Sequence, residues 1–79
     1  MTGHKVYRTI IEAVEKGILK EPFSSNDIIK ACPNLVKSTC RTFPRKHRKG
    51  NPGMNSELFV MVSKGLFKLI RPYKYGIRF

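Results

Sequence analysis

Between residues 35 and 48 the chain places Lys37, Arg41, Arg45 and Arg48 at intervals of four, four and three. On an α-helix turning ~100° per residue these positions fall within about 80° of arc, so four cations share one face. Ser38 and Thr42 flank the stripe, Thr39 stands beside them, and no acid interrupts it. A row of ammonium and guanidinium groups neutralises a row of phosphates and releases the counterions condensed on a polyanion. Arginine adds a planar fork of donors that matches the acceptor edge of guanine. Arg41 and Arg45 are therefore the candidates for base contact, with Lys37, Ser38, Thr39 and Thr42 around them. Lys46, Arg48 and Lys49 at the end of the stripe are candidate backbone clamps.

Other chemistries find no support in the residue types. Cys32, Cys40, His4 and His47 lack any zinc-ligand spacing, and His47 falls on an apolar stripe where a packed or boundary histidine is expected. The two cysteines are expected to be reduced and semi-buried, as in an intracellular protein. No Ser, His and acid form a catalytic motif, and residues 50–53 lack the Gly-Lys-Ser/Thr ending of a nucleotide-binding loop. The expectation is no enzyme, no cofactor and no metal.

The composition agrees with a polyanion partner. Sixteen Lys and Arg stand against five Asp and Glu in 79 residues, a formal net charge of +11. The excess is segregated: up to Pro33 there are five bases and four acids, whereas from Asn34 onward eleven bases face only Glu57. The first third reads as scaffold and the rest as contact surface. A chain this short buries only about 60–65% of its unfolded surface, so one domain is expected, with its core over about 3–71 and a basic aromatic tail at 72–79. No apolar run approaches the ~18 residues of a membrane span, and residues 1–5 lack a secretory pattern. The chain is expected in the cytoplasm, nucleoid or nucleus and off the membrane.

The elements that must hold the cationic stripe can be placed from periodicity. Val6, Ile10, Ala13 and Val14, widened by Tyr7 and Ile11, predict a first helix over 3–16, with Thr2 as its cap and Gly17 as its left-handed stop. Ile18 and Leu19 should fold back onto its apolar face. On its outer face Glu12 stands four residues from both Arg8 and Lys16. Ser24 with Asp27 forms a capping box and Phe23 with Ile28 a hydrophobic staple, so a second helix runs from 25 to about 32. Pro33 breaks it, Asn34 offers the next cap, and a third helix over 35–48 turns Val36, Cys40, Phe43 and His47 inward. Pro44 predicts either a kink or an end near Phe43. After a loop over 49–56, strands at 58–62 and 66–71 form a hairpin around Ser63-Lys64-Gly65, with Met61 opposite Phe67 and Phe59 opposite Leu69. That register places four apolar side chains on one face.

Three helices followed by a hairpin, with a tight turn before the charged third helix, is an α+β order: a three-helix winged helix-turn-helix with a C-terminal β-hairpin wing. Glu57-Leu58-Phe59-Val60-Met61-Val62-Ser63-Lys64-Gly65-Leu66-Phe67-Lys68-Leu69 resembles the wing of HARE-type winged-helix domains, with its Phe-Val-x-Val, basic-Gly turn and aromatic-x-Leu. Phe23-Ser24-Ser25-Asn26-Asp27-Ile28-Ile29 is similar to the loop and capped second helix of that group, and the resemblance spans about residues 5 to 70. It implies duplex DNA as partner, in transcription or another DNA transaction, with helix three in the major groove and the wing on neighbouring backbone. Lys64 at the hairpin tip, with Lys68 and Arg71 on its second strand, would then be the wing contacts.

Two alternatives stay open. RNA binding draws on the basic composition and on Tyr73, Tyr75 and Phe79, whose rings could stack on unpaired bases. A protein-interaction winged helix would dock a partner on the hairpin or helix one. A homodimer or a larger protein partner would supply the specificity that one short helix lacks.

Overall fold

In the computed structural model, residues 2–50 and 57–75 are described, with side chains from residue 5. The side chains of Thr2, the expected cap, and of His4, the 51–56 part of the loop and the 76–79 end of the tail, including Phe79, lie outside the described residues. Three helices, α1 (Thr2–Glu15), α2 (Ser25–Ala31) and α3 (Lys37–Lys46), precede strands β1 (Phe59–Ser63) and β2 (Leu66–Leu69). The two strands form an antiparallel hairpin, and the whole is an α+β arrangement consistent with the winged-helix layout.

Local signals set most boundaries. Gly17 takes φ +76° after α1. Its N–H reaches the Val14 carbonyl at 3.0 Å, and the Ile18 N–H reaches Ala13 at 2.9 Å, the pair of bonds that closes a helix through a left-handed residue. Leu19 folds back into the core as expected, but Ile18 is 61% exposed. The Ala13 carbonyl accepts the Leu19 N–H as well, which turns the chain inward one residue later than the spacing suggested. On the outer face of α1, Arg8 and Glu12 pair at 3.4 Å. The capping box of α2 is complete: Ser24 Oγ accepts from the Asp27 N–H at 3.2 Å, and Asp27 Oδ2 accepts from the Ser24 N–H at 2.9 Å.

The start of α3 differs from expectation. Asn34 is not its cap, because Pro33 and Asn34 are the central residues of a turn closed by the Leu35 N–H on the Cys32 carbonyl at 3.0 Å. Helix α3 begins two residues later, from an extended Val36 that makes no side-chain cap bond and is 66% exposed instead of inward. The inward stripe is Cys40, Phe43 and Pro44, with His47 half-buried. The helix does not end near Phe43. It runs on to Lys46, and the His47 N–H still closes on Phe43 at 3.1 Å. Pro44 leaves the Cys40 carbonyl without its helical donor, while its ring is fully buried in exchange.

The chain leaves α3 at Lys46, not Arg48, because it then pairs with β1. The His47 carbonyl accepts from Leu58 (2.8 Å) and Phe59 (3.1 Å), and the Lys49 N–H donates to Phe59 at 2.7 Å. On the other side of the hairpin, Phe23 and Phe67 exchange both backbone bonds at 2.9 and 2.8 Å. Each edge of the two-stranded sheet is thereby covered by a short piece of the helical half. The register pairs Phe59 with Leu69 and Met61 with Phe67, as the hydrophobic pattern predicts. Ser63 pairs with Leu66, so Lys64 and Gly65 (φ +76°) alone form the turn and Val62 is the extra residue of a bulge. Strand pairing is shorter than expected, and Met61 is 37% exposed, which leaves Phe59, Phe67 and Leu69 as the buried face.

Phe59 organises the core. Its ring stands edge-to-face against Tyr7 of α1 (6.5 Å), Phe23 before α2 (6.0 Å) and Phe43 of α3 (5.8 Å). Such pairs contribute about 0.5–1.5 kcal/mol each beyond the area they bury. Phe59→Ala is expected to lower the unfolding free energy by about 3–5 kcal/mol in urea titrations. Met61→Ala, two residues along the same strand, should cost under about 1 kcal/mol because that side chain is already part-solvated.

Candidate nucleic-acid interface

With Cys40, Phe43 and Pro44 anchored in the core, the remaining face of α3 is turned to solvent. Lys37, Ser38, Arg41, Thr42, Arg45 and Lys46 are exposed, Thr39 is half-buried, and the helix carries no acid. The Thr42 hydroxyl donates to the Ser38 carbonyl at 3.0 Å, which leaves its lone pairs as acceptors. His47 lies over the Phe43 ring with centroids 4.4 Å apart, so it is a boundary packing residue.

Two concavities flank this helix. One, of about 330 Å³, brings Arg41 and Arg45 together with Ser24, Ser25 and Asn26 before and within α2 and with Gly65 at the hairpin turn. The other, of about 480 Å³, sets Thr39, Thr42 and Lys46 against Lys5 and Val6 of α1. The helix thus stands as a ridge with hydroxyls and cations on both slopes, a shape suited to entering a groove. Lys64 is exposed at the hairpin tip.

The other candidates lie elsewhere. Lys49, Lys68 and Arg71 line a third concavity of about 560 Å³ together with Lys74. It has no lining residue in common with the two beside α3. Arg48 is half-buried at the edge of β1. Sequence reasoning passed over Lys5, Lys74 and the Ser24–Asn26 turn as interface residues. The only signal for them was their residue type, because what makes them neighbours is the fold.

Arg71 has a partner inside the protein. Its Nη2 reaches Glu21 Oε1 at 2.7 Å and its Nη1 reaches Glu21 Oε2 at 3.1 Å, while the same Oε2 accepts the Leu69 N–H at 2.7 Å. Burial by itself would push the Glu21 carboxyl up. The Arg71 hydrogen bonds, the Leu69 N–H and the charge of Lys68 outweigh it and hold the group below the usual carboxylate range. The same pair raises Arg71 further above its ordinary value.

The aromatic tail is also engaged. The Tyr73 hydroxyl donates to Glu15 Oε2 at 2.7 Å, the Lys74 N–H donates to the Tyr7 hydroxyl at 2.9 Å, and Tyr75 packs edge-on to Tyr7 at 5.7 Å. Tyr73 is thereby half-buried along α1, whereas Tyr75 keeps 45% of its surface exposed beside Tyr7.

Cys32 and Cys40 are free and buried, and burial pushes both thiols up, away from the thiolate that a metal or nucleophile needs. Among the described residues no three His, Cys, Asp or Glu side chains gather as a metal site, and no helix is long and apolar enough to cross a membrane. No protein-family model, curated protein or solved structure matches the chain.

The Glu21–Arg71 pair carries a pH signature. The folded state favours the ionised carboxylate, so its contribution is present above the unfolded value near 4.5 and is lost as pH falls through the lower folded value. In urea titrations from neutral to strongly acidic pH, Glu21→Gln should be less stable than wild type at neutral pH. It should also lose less stability than wild type on acidification.

Proposed function

We propose that this is a winged-helix protein that binds duplex DNA, with α3 in the major groove and the hairpin along the adjacent backbone, in transcription or another DNA transaction. The observation that carries the proposal is the exposed face of α3: cations and hydroxyls without an acid, on a helix fixed from behind by Cys40, Phe43 and Pro44. Ten residues make a helix about 15 Å long, and the major groove is about 12 Å wide. Arg41 and Arg45 are one turn apart and open toward the hairpin turn, so guanidinium forks and the Lys64 ammonium can address base edges and phosphates of one duplex. The resemblance of the hairpin and of the capped α2 to HARE-type domains accords with this role. The tie of the Tyr73 hydroxyl to Glu15 on α1 weighs against that ring as a stacking site for unpaired RNA.

Fluorescence polarisation with a labelled duplex and a matched single-stranded RNA across a salt series tests the proposal. Duplex should be preferred, and the Arg41→Ala/Arg45→Ala variant should lose at least about tenfold in affinity, since one good bidentate base contact contributes about 1–3 kcal/mol. Lys64→Ala should weaken all duplexes alike and reduce the salt slope by about 1. RNA preference, or no binding to either at about 0.1 M salt, would sink the DNA assignment.

A further inference from the structure

The third concavity is a basic site of its own. In β2, Phe67 and Leu69 are buried, so the alternation of the strand sends Lys68 to the opposite face of the hairpin, beside its cross-strand partner Val60. Lys49 arrives there from the segment leaving α3, and Lys74 from the tail. Each backbone is fixed: Lys49 by its N–H on Phe59 (2.7 Å), Lys68 by the hairpin ladder, and Lys74 by its N–H on the Tyr7 hydroxyl (2.9 Å). Three lysines from three separate stretches of chain thus line one hollow of about 560 Å³, together with Arg71 and Glu57.

One acid, Glu57, lines the hollow against four cations, and its Oε2 accepts the Gly50 N–H at 2.9 Å. Glu21 is taken by Arg71 and by the Leu69 N–H. Among the described residues no ion pair engages Lys49, Lys68 or Lys74. Of its lining, Val60 and Lys68 stand on the face of the hairpin opposite Phe59, against which α3 packs through Phe43.

We propose that Lys49, Lys68 and Lys74 form a second phosphate-backbone site that holds a second duplex while α3 occupies the first, so that one molecule bridges two DNA segments. This rests on the DNA-binding proposal for α3. The residue types divide the labour: the arginines of α3 have the fork that base edges require, whereas the outer hollow presents lysine point charges, which neutralise phosphates without reading sequence. The second duplex should accordingly be held irrespective of its sequence and released first as salt rises.

A capture assay separates the two sites. One short duplex is immobilised, the full chain is added, and retention of a second, fluorescent duplex of unrelated sequence is read alongside retention of the protein. Wild type should retain both, and Lys49→Ala/Lys68→Ala/Lys74→Ala should retain at least about tenfold less of the second duplex per molecule of protein held on the first. The second site is refuted if wild type binds the first duplex and captures nothing. Undiminished capture by the triple variant also refutes it, since bridging would then run through protein–protein contact. A loss of single-duplex affinity with capture per bound molecule unchanged would place the lysines in the α3 surface and refute it equally. Failure of wild type to bind even the immobilised duplex would overturn the DNA-binding proposal and this inference together.

Discussion

The ring of Phe59 touches an aromatic ring from each of the three helical segments: Tyr7, Phe23 and Phe43. A chain of 79 residues has little apolar surface to spend, and it concentrates that surface where one strand residue can join the hairpin to everything else. Backbone bonds repeat the same connections. The Phe59 carbonyl and N–H meet the segment after α3, and the Phe23–Phe67 pair closes the other edge. The hairpin is consequently part of the core and not an appendage. The distance between the α3 ridge and the Lys64 tip is set by packing and not by a hinge.

Charge is handled with similar economy. Each of the five carboxylates has a hydrogen-bond partner within the fold: Glu12 with Arg8, Glu15 with Tyr73, Glu21 with Arg71 and Leu69, Asp27 with Ser24, and Glu57 with Gly50. Four of these bonds fix a boundary, a loop or a tail, so the acids act as structural clips. Helix α3 carries no acid of its own, and in the outer hollow Glu57 stands against Lys49, Lys68, Arg71 and Lys74, so a basic field results from where the acids are as much as from how many bases there are. Arg71 illustrates the division, since its tie to Glu21 lets it secure the end of β2.

Helix α3 shows how packing overrules local preference. Proline in a helix interior removes one hydrogen bond and disfavours the residue before it, which argues for a break at Phe43. Burying the Pro44 ring against the core offsets that loss, and the helix keeps one further turn that carries Arg45 and Lys46. The exposed Val36 reflects the opposite trade. Once Pro33 and Asn34 are used in the turn after α2, Val36 becomes the cap and its side chain has nowhere inward to go.

Near-neighbour chemistry along the chain accounts for the stop at Gly17, the Ser24–Asp27 box, the left-handed Gly65, the pairing of Phe59 with Leu69 and the acid-free stripe of α3. Each follows from backbone sterics, periodicity or charge within a few residues, and these act alike in any surroundings. Packing between distant segments settles that Asn34 turns instead of caps, that Ile18 and Val36 face solvent, that α3 passes through Pro44, and that Arg71 finds Glu21 fifty positions away. It also brings Lys49, Lys68 and Lys74 to one hollow that shares no lining residue with the one holding Arg41 and Arg45. These outcomes hang on contacts between segments distant in sequence, and a linear pattern carries the charge of a side chain without the face of the molecule on which it emerges.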